Sequence, residues 1–440
     1  MEGYKKVYNF YIKDGEEDLI RHIMPEYFVD VNLIRNNVDI SYAVKFLQNE
    51  LNLILNSFLN GGFSYKGFIF HPFVKDVSKE NISRIKRLAD IAVFLNNNGY
   101  DFSASIKRYS SNLDSNLNSL NSKNFALILS ELYKEISLIK AKASSIKKAK
   151  CRELDLSEYK KTDLGYLRPL NELKDYANKN LRRYLAGFYL HGSLATKDYV
   201  KGWSDVDTLC IVSKESIEDG KALLELRDYL YKMRHFFYKI DPLQHHGSII
   251  ISEYDMENYC NPYFSIPVFK YAKSFFKVDS IVSAKVRDYS SEALARAFWL
   301  VNYFRKLNIE KRFNLGSYDT KTLLHSITLF PTIYLQAKGT LVYKKFSFDI
   351  AKKDFKKESW EVIGEASSIR SNWKNSGGIP LIGLFARTNP LFYYQLNSRV
   401  LDLFKDIKKE NKIDIKDIAE KILRLSEPAW SNIIKIRRSL

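Results

Sequence analysis

The sequence predicts an α+β fold in which a small mixed sheet is flanked by helical regions on both sides. Three observations predict it. Apolar residues recur at i, i+3, i+4 and i+7 over much of residues 1–160 and 281–440, the spacing of packed amphipathic helices. Residues 161–280 instead mix helical stretches with short β-branched and apolar runs, the pattern of strands. Two of those runs are joined by a Gly192-Ser193 turn and by Asp205-x-Asp207, which opens the second run. At 440 residues the chain is long enough for two or three separate cores. The expected domains are a helical N-terminal region over 1–160, a sheet domain over 161–280 and a basic helical domain over 281–440.

Each element follows from its own residues. Ala43 to Leu59, Ser83 to Leu95 and Phe125 to Ile146 read as helices. Ser110 to Asn124 is rich in Ser and Asn, as loops are, yet Leu113, Leu117 and Leu120 keep helical spacing, so loop and helix both stay open. A helix from about Pro169 to Leu185 leads into a strand from Gly187 to His191, and the Gly192-Ser193 turn starts a short helix through Ala195 and Lys197. A strand from Asp205 to Val212 follows, then a helix from Ser216 to Met233. Phe236 to Asp241 and Gly247 to Ser252 read as two further strands by their alternation. Helices are expected again over Ala293–Arg305, Lys321–Ala337, Lys344–Lys357, Trp360–Trp373, Leu391–Lys408 and Ile415–Leu425.

The chemistry concentrates in the segment from Phe188 to Val212. Side chains on a strand alternate, so Asp205 and Asp207 project from one face about 7 Å apart while Val206 turns inward. Two carboxylates on one rigid strand make an oxygen cage for Mg²⁺ carrying phosphates. A Gly-Ser turn entering a helix offers backbone N–H groups to a polyphosphate. Gly192 lets the backbone approach closely, since it has no Cβ. Ser204, just before the first carboxylate, either orients it by a hydrogen bond or ends the loop.

Gly192-Ser193, a short spacer and Asp205-x-Asp207 together resemble the signature of the DNA polymerase β-like nucleotidyltransferase superfamily. The stretch from Tyr189 to Val212 is most similar to its aminoglycoside adenylyltransferase branch, where a leucine-histidine-glycine-serine turn and a serine-aspartate-x-aspartate strand occur. The resemblance is confined to the middle of the chain and fades after it. It implies a nucleotidyltransferase core that moves an NMP group from an NTP such as ATP to an acceptor hydroxyl, releasing pyrophosphate. Asp205 and Asp207 would hold one or two Mg²⁺ ions, two being expected, while Ser193 and the turn amides would hold the terminal phosphates.

The superfamily usually adds a third carboxylate from a later strand. Asp241 is the candidate for that catalytic and metal-binding place, its rival role being a turn aspartate before Pro242. His245 and His246 are candidates for a base or for polar residues packed at a strand start, and on a strand only one of them would face the site. In the adenylyltransferase branch a lysine opening a helix of the C-terminal domain faces the nucleotide. Gly339 to Ala351 fills that place, with Lys345 or Lys344 as the phosphate contact or as an exposed helix start.

Composition narrows the alternatives. Hydrophobic content of 45% and charged content of 27% are those of an ordinary globular chain. Cys151, Cys210 and Cys260 have no paired spacing, so a disulfide framework and a zinc knuckle are excluded. No signal peptide and no run of ~18 apolar residues is evident, giving a cytoplasmic protein as the expectation. There is no Gly-x-x-x-x-Gly-Lys-Ser/Thr loop and no dinucleotide fingerprint. The formal net charge is +18, and most of the excess lies after residue 280, in pairs such as Lys352-Lys353 and Arg437-Arg438. Such a surface either favours an anionic acceptor, an RNA end or a phosphorylated sugar, over the cationic aminoglycosides, or is a lysine-rich solvated surface with no bearing on the partner. The competing possibility is a non-catalytic scaffold of the same fold that binds nucleotide or RNA in a sensor or toxin system.

Overall fold

The computed structural model describes residues 3–7, 9–24, 40–60, 84, 85, 88, 122–136, 145–244, 246–261, 264–276, 280–287, 290–374, 385–404 and 407–438. At its centre is a six-stranded mixed sheet of strand order β6-β5-β4-β7-β3-β8. Its strands are β3 (Ser145–Glu153), β4 (Leu185–His191), β5 (Asp207–Val212), β6 (Ile249–Ser252), β7 (Lys273–Ser274) and β8 (Ser280–Val286). Pairing is antiparallel for β4–β5, β4–β7 and β3–β8, and parallel for β5–β6 and β3–β7. A separate hairpin joins β1 (Tyr4–Val7) to β2 (Phe10–Lys13).

One face of the central sheet carries Phe188, Leu190, Cys210 and Val212. They pack with Leu170 and Leu173 of the helix Leu164–Asn180 and with Leu226, Leu230 and Phe237 of the helix Gly220–Ile240. Leu51, Ile54 and Phe58 of the helix Ile40–Asn60, with Phe125, Leu129 and Leu132 of the helix Ser122–Ile136, extend this same core. The described helices of the N-terminal region thus share one interior with the sheet. The opposite face carries Tyr189, Leu209 and Ile211 against Phe264, Phe269 and Val282.

The C-terminal helices build a second core, and the N-terminal hairpin belongs to it. Phe10, Ile12, Ile20 and Ile23 pack with Phe298, Phe304 and Trp430. Arg305, fully buried on the helix Ser290–Ile309, holds the two ends of this core together. Its Nη1 and Nη2 donate to Glu16 at 2.8 and 2.9 Å, and its Nε and Nη2 donate to Glu427 at 2.6 and 3.1 Å. Trp430 Nε1 donates to the same Glu16 at 3.1 Å. Each carboxylate is therefore matched by several donors, which a buried charge requires.

Several sequence-based expectations are corrected. Phe236 to Asp241 is not a strand; it is the last turn and a half of the helix Gly220–Ile240, with Asp241 as its C-cap. Leu223, Leu226, Leu230, Met233, Phe237 and Ile240 are all buried, a helical spacing that outweighs the local alternation of the aromatics. Residues from Ser145 form a strand rather than the end of a helix from Phe125. β3 alternates only at Ala149 and Cys151 and is otherwise lysine-rich. The strand expected from Asp205 starts at Asp207, and the helix expected over Lys344–Lys357 divides at Lys352. The helix expected over Ser83–Leu95 and the ambiguous stretch before Ser122 fall almost wholly outside the described residues. No helix among the described residues is long and apolar enough to cross a membrane.

Candidate active site

The site begins where β4 ends. His191 pairs in register with Asp207, so the turn after β4 lies directly beside the start of β5. Gly192 continues the chain with φ of +71°, a left-handed conformation that favours glycine. A Cβ at this position would lie 2.1 Å from Asp207 Oδ2. The glycine thus makes room for the carboxylate as well as for the turn. Replacing it tests this: Gly192→Ala is expected to cost about 1–2 kcal/mol of stability from the backbone alone. Displacing Asp207 is expected to lower any site activity about 10²-fold. A urea titration and a rate measurement check the two effects separately.

The loop between the turn and β5 is tied down by Ser204. Ser193 Oγ donates to Ser204 Oγ at 2.9 Å, and the Val200 amide donates to the same oxygen at 2.9 Å. Ser204 therefore fixes Ser193 rather than bonding a carboxylate. Asp205 is buried in the approach to β5, Val206 is fully buried, and Asp207 opens the strand. Gln244 anchors this segment from behind. Its Oε1 accepts from the Val206 amide at 2.9 Å, and its Nε2 donates to the carbonyls of Val206 and His246 at 3.4 and 3.1 Å.

His246 completes a trio with the two aspartates. Its Nε2 is 3.0 Å from Asp205 Oδ2 and 3.5 Å from Asp207 Oδ1. The three side chains each offer a ligand atom within 4.8 Å of the others, a spacing able to hold a metal ion. Burial works against a charged Asp205, but Lys321 and the His246 hydrogen bond hold its carboxyl well below the ordinary range. Burial, and then the negative charge of Asp205, push Asp207 up to about 7. Burial opposes the proton of His246, yet the bond to Asp205 and the charges of both carboxylates push it up to about 9. His245 lies outside the described residues.

Asp241 does not join the trio. It is fully buried, accepts from the Leu243 amide at 3.0 Å, and is bonded to Lys321 of the helix Ser317–Ala337, itself 1% exposed. Asp241 is not among the residues that line the cavity. Burial raises its pKa, with Lys321 opposing. Nothing in the local sequence around Lys321 announced this pairing across 80 residues.

Asp205, Asp207, Gly192, Ser193, Ser204 and His246 all line one cavity of about 570 Å³. The C-terminal helices contribute to its lining, including Arg296, His325, Lys344, Lys345 and Arg370. Lys345 is exposed at the rim, whereas Lys344 is half-buried and its Nζ donates to Thr328 Oγ1 at 3.2 Å. Burial and then Arg370 push the Lys344 ammonium down to about 8, against the attraction of Asp207 and Asp205. Tyr343, the residue before it, donates its hydroxyl to the Gly192 carbonyl at 3.1 Å, joining these helices to the turn. Asn56 and Asn60 of the N-terminal helix also line the cavity, a contribution that their helical context did not signal.

Carboxylates and cations lining one cavity suit a ligand that brings phosphates and a divalent cation together. Comparison with curated proteins and with solved structures returns no match. Residues 170–246, a span that takes in the glycine–serine turn, both aspartates and His246, match the family model described as a nucleotidyltransferase domain, which supports placing this segment in the polymerase β-like nucleotidyltransferase superfamily.

Proposed function

We propose that the protein is a divalent-cation-dependent nucleotidyltransferase that moves an NMP group from an NTP to a hydroxyl of an anionic acceptor. The observation that carries this reading is the position of Asp205 and Asp207 beside the Gly192-Ser193 turn on one wall of a single cavity. A cation between the carboxylates, expected from the resemblance to be Mg²⁺, would neutralise the phosphates and favour loss of pyrophosphate.

The chain's own groups then have separate tasks. Ser193, fixed by Ser204, and the turn amides receive the terminal phosphates. Lys344 lines the same cavity as the two carboxylates and balances the triphosphate charge, while Lys345 at the rim acts more weakly. Asp241 serves as a positioning residue: it fixes Lys321, whose charge keeps Asp205 ionised. In the transfer the acceptor hydroxyl oxygen bonds to the α-phosphorus and gives its proton to water, the bond to the β-phosphate oxygen breaks, and pyrophosphate leaves with its electron pair. The cationic part of the lining supports an anionic acceptor, such as an RNA end or a phosphorylated sugar, over a polycationic one.

The test is incubation of the protein with each labelled NTP, divalent cation and candidate acceptors. Label transfer in wild type that is lost in Asp205→Ala supports the reading. Nucleotide binding without transfer for every NTP would instead favour a binding scaffold. Lys344→Ala is expected to raise the KM for NTP about tenfold, the worth of one partly screened charge contact. Lys345→Ala should change it less than threefold, and steady-state kinetics distinguish the two.

A further inference from the structure

The third place around the cation is the point at which this chain departs from an all-carboxylate set. Asp241, the available aspartate, is committed to Lys321 and the Leu243 amide. The side chain that does meet the two aspartates is an imidazole. His246 Nδ1 lies 3.0 Å from the Gly247 carbonyl and 3.3 Å from Gln244 Nε2, and these contacts orient the ring so that Nε2 is directed at Asp205 and Asp207. A backbone carbonyl that orients one ring nitrogen so that the other can bind is the usual support of a metal-ligating histidine.

The loop carrying His246 is also locked to the loop carrying the aspartates. Gln244, fully buried, bonds both polar backbone atoms of Val206 and the carbonyl of His246 itself. These bonds fix His246 beside the segment that carries the aspartates, and the three ligand atoms lie within 4.8 Å of one another. That separation is close to the ~4 Å across one ion with ~2.1 Å bonds. A second sign of an awaited ligand is His191 on the same wall. Its Nε2 is buried and has no hydrogen-bond partner among the described residues, and its ring is held edge-on to Phe264 at 4.7 Å.

We propose that His246 Nε2 is the third protein ligand of this cation site, and that its nitrogen makes the site select Mn²⁺ over Mg²⁺. The proposal rests on the reading of Asp205 and Asp207 as cation ligands. Mg²⁺ is a hard cation that favours oxygen and keeps its waters, whereas first-row transition dications accept imidazole readily. Two carboxylate oxygens and one imidazole nitrogen form the mixed set that distinguishes them.

The experiment uses the full chain without nucleotide. Mn²⁺ is titrated and followed by electron paramagnetic resonance, with electron-spin-echo modulation to detect directly bound nitrogen and Mg²⁺ as competitor. The expected result is nitrogen coupling in wild type and displacement of Mn²⁺ only by a tenfold or larger excess of Mg²⁺. His246→Ala should lose the coupling and bind Mn²⁺ about 10–100-fold more weakly. His246→Asp keeps a ligand at the position and should restore binding without nitrogen coupling, with the preference for Mn²⁺ reduced. Mn²⁺ bound without nitrogen coupling in wild type, coupling that survives in His246→Ala, or no Mn²⁺ binding at all would overturn the proposal. NMP transfer is assayed on the same preparations. Transfer without nitrogen coupling would refute the histidine ligand alone, while coupling without transfer would refute the enzymatic reading alone.

Discussion

Asp207→Asn should abolish NMP transfer while leaving the metal-free protein at least as stable as wild type. The rate is expected to fall roughly 10³-fold or more, about 4 kcal/mol in the barrier, because one of two carboxylates neutralising the phosphates is gone. Stability should move the other way. Burial and the neighbouring charge of Asp205 both disfavour an ionised Asp207, so the fold carries that charge at a cost. Asparagine keeps the shape of the side chain and removes the charge. Asp205→Asn should be equally inactive but less stable, because Asp205 makes the 3.0 Å contact with His246 and faces Lys321. Transfer assays and thermal melts at pH 8 with chelator check both halves. An active Asp207→Asn protein would remove the basis of the proposed chemistry.

Arg305→Leu should be the most destabilising single change among the described residues outside the site. Leucine fills part of the volume but leaves Glu16 and Glu427 buried without their main partner, and breaking such a pair costs about 3–5 kcal/mol. The loss should appear as a lower urea midpoint and as early proteolysis of the hairpin β1–β2, whose Tyr11 carbonyl also accepts from Arg305 at 2.8 Å. Adding Glu16→Gln and Glu427→Gln to Arg305→Leu should recover much of the loss, because the charge then left without its partner, Lys13, is one-third exposed (35%) rather than buried. A single variant as stable as wild type would mean that the apolar contacts of Phe10, Phe298 and Trp430 hold this core without the ion pairs.

The parts of the site legible in the sequence are those that lie close together in it. The Gly192-Ser193 turn and the Asp205/Asp207 alternation are local patterns, and the structure brings these residues to one cavity wall. The carboxylate expected of Asp241 was misplaced because a run of aromatics imitates a strand, and only tertiary packing shows that Phe237 and Ile240 continue a helix. β3 was hidden for a different reason. It buries little more than Ala149 and Cys151, and its partner β8 is more than a hundred residues away, so neither composition nor period reveals it. The hairpin β1–β2 has a partner in Trp430 and Glu427 that no window of sequence can contain. His246 was visible as a candidate base, but its relation to both aspartates depends on the fold of the Gln244 loop.

The union of Glu16, Arg305 and Glu427 also sets an order of events during synthesis. The hairpin is made with Phe10 uncovered and waits for the helix Ser290–Ile309, made some three hundred residues later, whose Phe298 and Trp299 rings pack on it. Contacts of such long range form slowly, since the intervening chain must first be gathered in. Until that helix arrives, the early ribbon keeps an apolar face with nothing to pack on, the kind of surface that chaperones shield.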